Sequence, residues 1–517
     1  MRQSSSSTES SRLVVDDAFE VAPVNDRLFG SFVEHLGRCV YGGIYEPGHP
    51  GADDEGFRKD VIDLVRELGV TTIRYPGGNF VSGYRWEDGV GPKAERPRRL
   101  DLAWHSTETN QFGLHEMVKW LQAVGGNELM EAINLGTRGL ESALDLLEYA
   151  NIPGGTALSD RRRANGADMP FGIKMWCLGN EMDGPWQTGH KNAEDYGTLA
   201  ASAAAGMRMI DPDVELVVCG SSHHAMDTFG AWEETVLEKT YESVDFVSCH
   251  AYYHPELRSD GTRDMASFLA SGVDMDGFIN DVAAVIDATK ARLKSIHDVF
   301  ISFDEWNVWY IDEEPSKSPE GIDNWPEAPK LLEDVYSVAD AVVLGDLLIT
   351  LLKNADRVHA ASLAQLVNVI APIMTEPNGP AWRQTIFYPF SLTAKYAKGG
   401  TVLEPKLSSG TYKTAQYGEV PLINSVAVRG SDNSVTVFVT NRSLDTSNDF
   451  EIRLPEGSGT FAVAQTLHED DIFAANTCDE QQRVTPHNNE SINLDSSSRT
   501  VHVTLPPVSW TAVHVSR

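Results

Sequence analysis

Two glutamates, each close behind an apolar run, carry the clearest chemistry in this sequence. Glu181 lies in the stretch WCLGNEMDGPWQ and Glu305 lies in FDEWNVWY. Each has a tryptophan nearby, Trp186 after the first and Trp309 after the second. Paired carboxylates beside aromatic platforms are typical of glycoside hydrolysis, in which a retaining enzyme holds its two carboxyl groups about 5 Å apart. The alternative is a pair of solvated surface glutamates.

Further polar side chains follow these two predicted strands and several others. They are Glu34, His35, Arg74, Asn79, Asn134, Asn180, His250, Tyr252, Asp304 and Gln365. Several carboxylates that converge on one rim would be destabilising unless a ligand or a pKa shift compensates them. Two residues keep a simpler alternative: Arg74 as a buried ion-pair partner, and His250 as a group that orients its neighbours without touching a ligand.

Two adjacent histidines, His223 and His224, raise the question of a metal site. If they lie on a strand, their side chains point to opposite faces. We therefore expect no metal that they share. Cys39, Cys177, Cys219, Cys249 and Cys478 are widely scattered and form no CxxC pair, so the sequence indicates neither a disulfide framework nor a structural zinc site.

The elements that must position these residues alternate between strand and helix. Short β-rich runs occur at Leu28–Val33, Thr71–Tyr75, Ala132–Leu135, Ile173–Leu178, Glu215–Cys219, Asp245–His250, Val299–Phe303 and His359–Leu363. Apolar stripes at helical spacing separate them, for example across residues 57–68, 114–121, 140–147 and 282–293. This alternation predicts a (β/α)8 TIM barrel, whose chemistry lies at the carboxyl ends of the strands. A doubly wound open sheet is the alternative, but the sequence has no glycine-rich phosphate loop.

The pattern changes near residue 398, where alternating strands separated by Gly, Pro, Asn and Ser turns begin. They predict a C-terminal β-sandwich, jelly-roll-like, that also takes an N-terminal strand from Leu13–Val21. We expect residues 488–498 to form a loop. The predicted organisation is residues 1–22 as an N-terminal tail and strand, 23–397 as the catalytic barrel and 398–517 as the sandwich.

Composition narrows the class of protein. The 517 residues are 41% hydrophobic and 23% charged, as in a soluble globular protein, and no apolar run reaches membrane-spanning length. The net charge of −33 disfavours nucleic acid as a partner, because phosphates would be repelled. The Ser-rich segment Met1–Arg12 lacks the apolar core of a signal peptide, which indicates a cytoplasmic protein.

Long segments of the chain resemble the α-L-arabinofuranosidases of glycoside hydrolase family 51. They are FVEHLGRCVYGGIYEPG, RYPGGNFVSGYRWEDGVGP, NLGTRG, CLGNEMDGPWQTGH, SCHAYYH, FDEWNVWY, AQLVNVIAPIMTE and the closing LPPVSW. The resemblance runs from about residue 28 to residue 510. It implies a (β/α)8 barrel with a sandwich built from both chain ends, which agrees with the pattern of elements.

The resemblance also implies roles for individual residues. Glu181 corresponds to the general acid/base and Glu305 to the nucleophile, while Asn180 would bind the sugar 2-hydroxyl. Arg74 would keep the nucleophile ionised. The remaining implied contacts with an arabinofuranose ring are Glu34, Asn79, Tyr252 and Gln365, with Trp104 and Trp186 as walls of the pocket and His250 beside them.

The function implied is a retaining, exo-acting α-L-arabinofuranosidase that releases terminal arabinofuranose from arabino-oligosaccharides, arabinan or arabinoxylan fragments. The mechanism needs no metal and no organic cofactor, and the family implies a homo-oligomer, commonly a hexamer. An endo-acting β-glucanase with the same fold and a sugar-binding protein without catalysis are the alternatives. Nothing in the sequence fixes the preference among α-1,2, α-1,3 and α-1,5 linkages.

Overall fold

The computed structural model describes residues 8–516, and within them eight parallel strands close into a barrel. We call them barrel strands 1 to 8 in chain order. They are Gly30–Phe32, Thr72–Tyr75, Glu128–Ala132, Met175–Leu178, Glu215–Val218, Phe246–Tyr253, Phe300–Val308 and Val358–Leu363. The predicted TIM barrel is confirmed, and the open doubly wound sheet is excluded.

Helices follow most of the strands and pack around the barrel. The α-helices are Lys59–Leu68, Leu114–Val124, Leu140–Asn151, Ala157–Ala164, Ala193–Ile210, Ala231–Thr240, Met265–Phe268, Gly272–Leu293, Val338–Lys353 and Phe387–Ala397. Short 3-10 helices span Asp26–Phe29, Asn79–Gly83, Trp86–Gly89, Lys93–Glu95 and Glu314–Ser316. The four apolar stripes that predicted helices lie in α-helices of this outer layer, except for Phe57, which precedes the helix Lys59–Leu68.

Alternate residues of the strands pack into two different layers. Met175 and Cys177 of barrel strand 4 share a cluster with Met130 of strand 3. Their neighbours Trp176 and Leu178 belong to the larger cluster formed with the helices. This is the two-sided burial expected of parallel strands whose successive side chains point to opposite faces.

Three sequence predictions about strand positions are wrong. The third barrel strand is not Ala132–Leu135 but Glu128–Ala132. The prediction failed because the charged residue type of Glu131 makes this buried strand look polar in the sequence. Burial raises the pKa of Glu131 well above its ordinary value, which favours the neutral acid in the buried layer outside the barrel. Barrel strands 6 and 7 also run further than predicted, so that Glu305 lies within strand 7 and not behind it.

The C-terminal part of the chain forms two sheets. One sheet has, in spatial order, the strands Lys406–Ser408, Thr8–Val14, Ser447–Arg453, Thr500–Leu505 and Asn493–Asp495. The other has Glu20–Pro23, Thr401–Leu403, Ile423–Arg429, Val435–Asn441, Ser509–Ser516, Phe461–Leu467 and His487–Asn488. Three small hairpins complete the strands: Arg99–Asp101 with Ser106–Glu108, Ile373–Thr375 with Ala381–Arg383, and Thr411–Lys413 with Glu419–Pro421.

The N-terminal contribution is larger than the single predicted strand Leu13–Val21. It consists of two strands, 8–14 and 20–23, that join different sheets of the sandwich. Residues 488–498, predicted as a loop, contain the strand Asn493–Asp495. The tail before residue 8 lies outside the described residues, and the division of the chain at residues 22/23 and 397/398 stays a prediction.

Barrel and sandwich meet on the helix Val338–Lys353. Every residue from 338 to 352 is buried. At Gly345 a side chain would lie 2.2 Å from the ring of Trp510, so this position needs glycine for close approach. Asp346 of the same helix pairs with Arg442 of the sandwich at 2.7 Å. Among the described residues, no helix is long and apolar enough to cross a membrane.

Candidate active site

The end of barrel strand 4 turns Glu181 into the mouth of the barrel. The strand stops at Leu178, and Gly179 follows with φ of 94°. Glu181 itself has φ of 43°, in the left-handed region that a residue with a Cβ seldom adopts. Such backbone strain is kept where the surrounding structure over-determines it, commonly at active sites.

Trp186 holds the Glu181 side chain from the outer side. Its indole Nε1 donates a hydrogen bond of 2.6 Å to Glu181 Oε2. Gly184 makes this approach possible, since a side chain there would lie 2.5 Å from the Trp186 ring. The indole is 49% exposed, so it forms part of the cavity wall that faces solvent.

Barrel strand 7 uses a different device to present Glu305. Its pairing register shifts between Phe303 and Trp306 against strand 8, and strand 7 holds one residue more than its neighbour there. The same extra residue appears against strand 6, between Ser302 and Glu305. A β-bulge of this kind re-aims side chains. It lets two consecutive residues, Asp304 and Glu305, both bond to groups inside the barrel mouth.

The two glutamates lie close together with His250 between them. An oxygen of Glu181 and an oxygen of Glu305 are within 4.8 Å of each other. His250 Nδ1 is 2.9 Å from Glu181 Oε1 and 3.7 Å from Glu305 Oε2. Its Nε2 lies 2.8 Å from Asp304 Oδ1. The imidazole therefore links three buried carboxylates.

Arg74, at the end of barrel strand 2, fixes the Glu305 side of the site. Its guanidinium donates to Glu305 Oε1 at 2.7 Å and to Asn180 Oδ1 at 2.6 Å. Because the amide oxygen of Asn180 is bonded to Arg74, its NH₂ group points to the other side, 3.3 Å from Asn79 Oδ1. Tyr252 donates to the second oxygen of Glu305 at 2.7 Å.

The surroundings drive the two glutamate pKa values apart. Burial raises the pKa of Glu181, and the negative charge of Glu305 adds to the rise. Burial would also raise the pKa of Glu305, but the positive charges of His250 and Arg74 outweigh it and lower that pKa. Burial lowers the pKa of His250, yet the three carboxylates around it raise that pKa well above its ordinary value. These opposite pKa shifts favour a protonated Glu181 beside an ionised Glu305.

A second group of residues forms the inner end of the cavity around Glu34. Trp104 Nε1 donates to Glu34 Oε1 at 2.9 Å, and Gln365 Nε2 donates to Glu34 Oε2 at 2.9 Å. Burial and the charge of Glu305 raise the pKa of Glu34 to about 8. At Gly77 a side chain would lie 2.8 Å from Glu34, so the chain needs glycine at this turn.

The structure brings all the predicted site residues together. A cavity of about 540 Å³ is lined by Glu34, Asn79, Trp104, Glu181, Trp186, Tyr252, Glu305 and Gln365. Arg74, Asn180 and His250 stand directly behind this wall, each at most 2% exposed. Each is bonded to a residue of the wall: Arg74 to Glu305, His250 to Glu181 and Asn180 to Asn79.

Sequence reasoning missed several residues of the site. Trp309, predicted as an aromatic platform, lines the cavity, and so do other apolar residues and histidines from loops: Leu36, His223, His254, Ile311, Leu332 and Ile370. Leu36, His254 and Ile370 lie within the family motifs, but a place in a motif does not show that a side chain faces the cavity. The contact of Asp304 with His250 was also missed, because alternation along a regular strand would put Asp304 and Glu305 on opposite faces.

The prediction that His223 and His224 lie on a strand is wrong, since both are in the loop after barrel strand 5. Their side chains nevertheless point to different places. The ring of His223 stacks on Trp186, while the two ring nitrogens of His224 each lie 3.1 Å from a carboxylate oxygen, one of Asp274 and one of Asp281. Glu181, His250 and Glu305 are spaced closely enough to hold a metal ion. Metal binding needs a neutral imidazole, however, and the raised pKa of His250 favours the protonated form.

A closed (β/α)8 barrel with two carboxylates within 4.8 Å of each other at its mouth is typical of a glycoside hydrolase. Family models described as α-L-arabinofuranosidase 1 domain and α-L-arabinofuranosidase C-terminal domain match residues 64–267 and 304–509. The chain belongs to the α-L-arabinofuranosidases of glycoside hydrolase family 51, as its sequence motifs predicted.

Three relatives show how close the similarity is. An exo-α-(1→6)-L-arabinofuranosidase of Bifidobacterium longum is 82% identical over 98% of this chain and 97% of its own. An intracellular exo-α-(1→5)-L-arabinofuranosidase of Streptomyces lividans is 58% identical over 97% of this chain and 75% of its own. A solved family 51 α-L-arabinofuranosidase of Bifidobacterium longum superposes with a TM-score of 0.93 at 50% identity, over 98% of this chain and 100% of that one.

Proposed function

We propose that this protein is a retaining, exo-acting α-L-arabinofuranosidase that removes terminal α-L-arabinofuranosyl residues from arabinan, arabinoxylan fragments or arabino-oligosaccharides by double displacement. The observation that carries the proposal is the pair Glu181 and Glu305, with oxygens within 4.8 Å and pKa values shifted in opposite directions. Retaining glycosidases hold their carboxyl groups about 5 Å apart, whereas inverting ones need roughly 6.5–9.5 Å for a water molecule.

In the first step Glu305 attacks the anomeric carbon as Glu181 protonates the departing glycosidic oxygen. The carboxylate of Glu305 becomes an ester and loses its charge. The pKa of Glu181 then falls, because the neighbouring negative charge that raised it is gone. Glu181, now ionised, takes a proton from water, and that water cleaves the ester with a second inversion.

Asn180 and Tyr252 would support the sugar that reacts with Glu305, and Tyr252 already donates to that carboxylate. The NH₂ group of Asn180, oriented by Arg74, would donate to the sugar 2-hydroxyl, a contact that strengthens as charge develops at the transition state. Glu34, with Trp104, Asn79 and Gln365 around it, would hold the other hydroxyls of the furanose ring. A carboxyl group with a pKa of about 8 is protonated at neutral pH and can both donate and accept a hydrogen bond.

The relatives support an exo action and narrow the linkage to test. The 82% identical relative is named for the α-(1→6) linkage and others for α-(1→5). We infer that terminal α-(1→6)-linked arabinofuranose is among the substrates. Several relatives are named intracellular, which supports action on imported oligosaccharides in the cytoplasm. A homo-oligomer, a hexamer by family resemblance, is part of the proposal, and sedimentation velocity tests it.

A panel of nitrophenyl glycosides and defined arabino-oligosaccharides tests the function. We expect α-L-arabinofuranosides to be cleaved, with free arabinose as the first product and with activity unchanged by a chelator. Proton NMR of the first-formed sugar should show the anomeric configuration of the substrate. Preference for β-glucans with oligosaccharide products would replace the proposal by the endo-glucanase alternative, and the opposite anomer would exclude the double displacement.

A further inference from the structure

Two segments from different parts of the chain contribute to the same cavity wall. One is the hairpin of residues 99–108, which we call the Trp104 hairpin; its turn places Ala103 and Trp104 in the wall. The other is the loop of residues 309–337 between barrel strand 7 and the next helix, which we call the strand 7 loop. It contributes Trp309, Ile311 and Leu332 to the same cavity.

The two segments are tied to each other outside the cavity. The rings of His105 and Trp325 stack with centroids 3.6 Å apart and planes 18° apart. His105 Nε2 is 2.9 Å from the carbonyl oxygen of Gly321. Thr107 donates through its backbone N–H to Pro326 O and through its hydroxyl to Trp325 O, at 2.9 and 2.8 Å. We call these five residues the clasp.

The Trp104 hairpin depends on such contacts for its position. Its strands have only three residues each, and an isolated two-stranded hairpin is marginally stable in water. His105 adopts φ of 51°, an unfavourable value for a residue with a Cβ, and Leu102 beside it is exposed. The clasp on one side and the bond from Trp104 to Glu34 on the other therefore fix the turn between them.

We propose that the clasp between His105 and Trp325 is a specificity-determining element that holds Trp104 against Glu34 and so fits the cavity to one terminal sugar. The inference rests on the proposed function. His105 and Trp325 act as positioning residues, because neither lines the cavity among the described residues. A loosened hairpin would weaken the hold on the furanose ring in the substrate and in the transition state alike. Loss of such uniform binding raises KM and leaves kcat unchanged.

The test compares Trp325→Ala with Trp325→Phe and the wild type. An aromatic pair contributes about a two- to tenfold factor, so we expect Trp325→Ala to raise KM about five- to tenfold with kcat within twofold. The same factor should apply to aryl and oligosaccharide substrates, and to the inhibition constant of free arabinose, which occupies only the sugar end. Trp325→Phe keeps a stacking ring and should restore most of the loss. Ile322→Ala, an 89% exposed side chain of the same loop, is the matched control and should behave as wild type.

Limited trypsin digestion gives an independent reading of the strand 7 loop, which contains Lys317 and Lys330. Trp325→Ala should be cut there faster than the wild type or Ile322→Ala, at an unchanged melting temperature. Unchanged KM and arabinose inhibition in Trp325→Ala would overturn the clasp, whatever the digestion shows. Inactivity of the wild type on every arabinofuranoside would instead overturn the proposed function, so the two failures are distinguishable.

Discussion

Barrel strands 4 and 7 present the same side chain to the same cavity by two different backbone devices. Strand 4 ends before Glu181, which leaves the strand through Gly179 and a left-handed residue. Strand 7 continues past Glu305 to Val308 and aims the side chain with a β-bulge. One glutamate therefore stands at a strained turn and the other in the middle of a strand.

The neighbours of the two glutamates differ as much as the backbones. Glu305 accepts hydrogen bonds from the guanidinium of Arg74 and the hydroxyl of Tyr252, and both favour its ionised form. Glu181 is hydrogen-bonded to the indole N–H of Trp186 and to one nitrogen of His250, but burial and the negative charge of Glu305 raise its pKa. Identical side chains can thus serve as nucleophile and acid, because the fold and not the residue type sets their protonation.

The sharpest way to break this comparison is to remove the strand 7 carboxylate. We expect Glu305→Ala to lower turnover about 10⁴-fold or more on aryl and natural substrates, because no other group can attack the anomeric carbon. Added azide should restore activity with an inverted product, since a small anion can occupy the vacated space. A variant that keeps a tenth of wild-type activity without azide would remove Glu305 from the nucleophile role.

Removing the strand 4 carboxylate should depend on the leaving group. A sugar leaving group needs protonation, so Glu181→Ala should slow its release by about 10²–10⁴-fold. An aryl leaving group of low pKa needs little protonation, and its departure should survive in part. Asn180→Ala is the control, because a bond to the 2-hydroxyl does not sense the leaving group and both substrates should slow alike. Equal losses in Glu181→Ala would contradict its assignment as acid/base.

The pH profile of kcat/KM tests whether the pKa values of Glu181 and Glu305 are shifted in opposite directions. The proposed mechanism requires Glu305 ionised and Glu181 protonated, so activity should appear as pH rises through the lowered pKa and vanish as pH rises through the raised one. His250→Gln removes a positive charge that lowers both pKa values. Both limbs should therefore move to higher pH, by about one unit for the acid limb. His224→Gln, outside the cavity wall, should leave the profile in place, and fixed limbs in His250→Gln would contradict the charge on His250.

The smallest effect is expected at the far end of the cavity. Because the pKa of Glu34 is about 8, its carboxyl group is neutral at pH 7 and glutamine can imitate it. We expect Glu34→Gln to lose less than about tenfold in kcat/KM at pH 7, and Glu34→Ala to lose distinctly more, as it leaves Trp104 and Gln365 without their acceptor. Equal losses in both variants would show that Glu34 acts as a charged group.

Much of this arrangement follows from the sequence, and the exceptions have physical reasons. Short β-rich runs that alternate with helical patterns predicted the barrel, and the family motifs named the residues that the structure gathers around one cavity. The third barrel strand was misplaced because buried Glu131 looks polar in a sequence, whereas burial favours its neutral form. The contact of Asp304 with His250 depends on a bulge, and a one-residue register shift leaves no mark in composition.

The loops were the least predictable part. The clasp joins residues 105–107 to residues 321–326, far apart in the chain, through one ring stack and backbone hydrogen bonds. Neither segment has a periodic pattern, and main-chain contacts of this kind do not depend on particular side chains.

The most direct test of the difference between the two glutamates is to trap the intermediate that only one of them can form. Glu181→Ala incubated with an aryl α-L-arabinofuranoside should accumulate a covalent adduct, because departure survives while the second step lacks its base. Mass spectrometry of the digested protein should find one arabinofuranosyl group on the peptide that contains Glu305, and none in Glu181→Ala/Glu305→Ala. Turnover of the aryl substrate with no adduct, or with the sugar on another residue, would contradict the account.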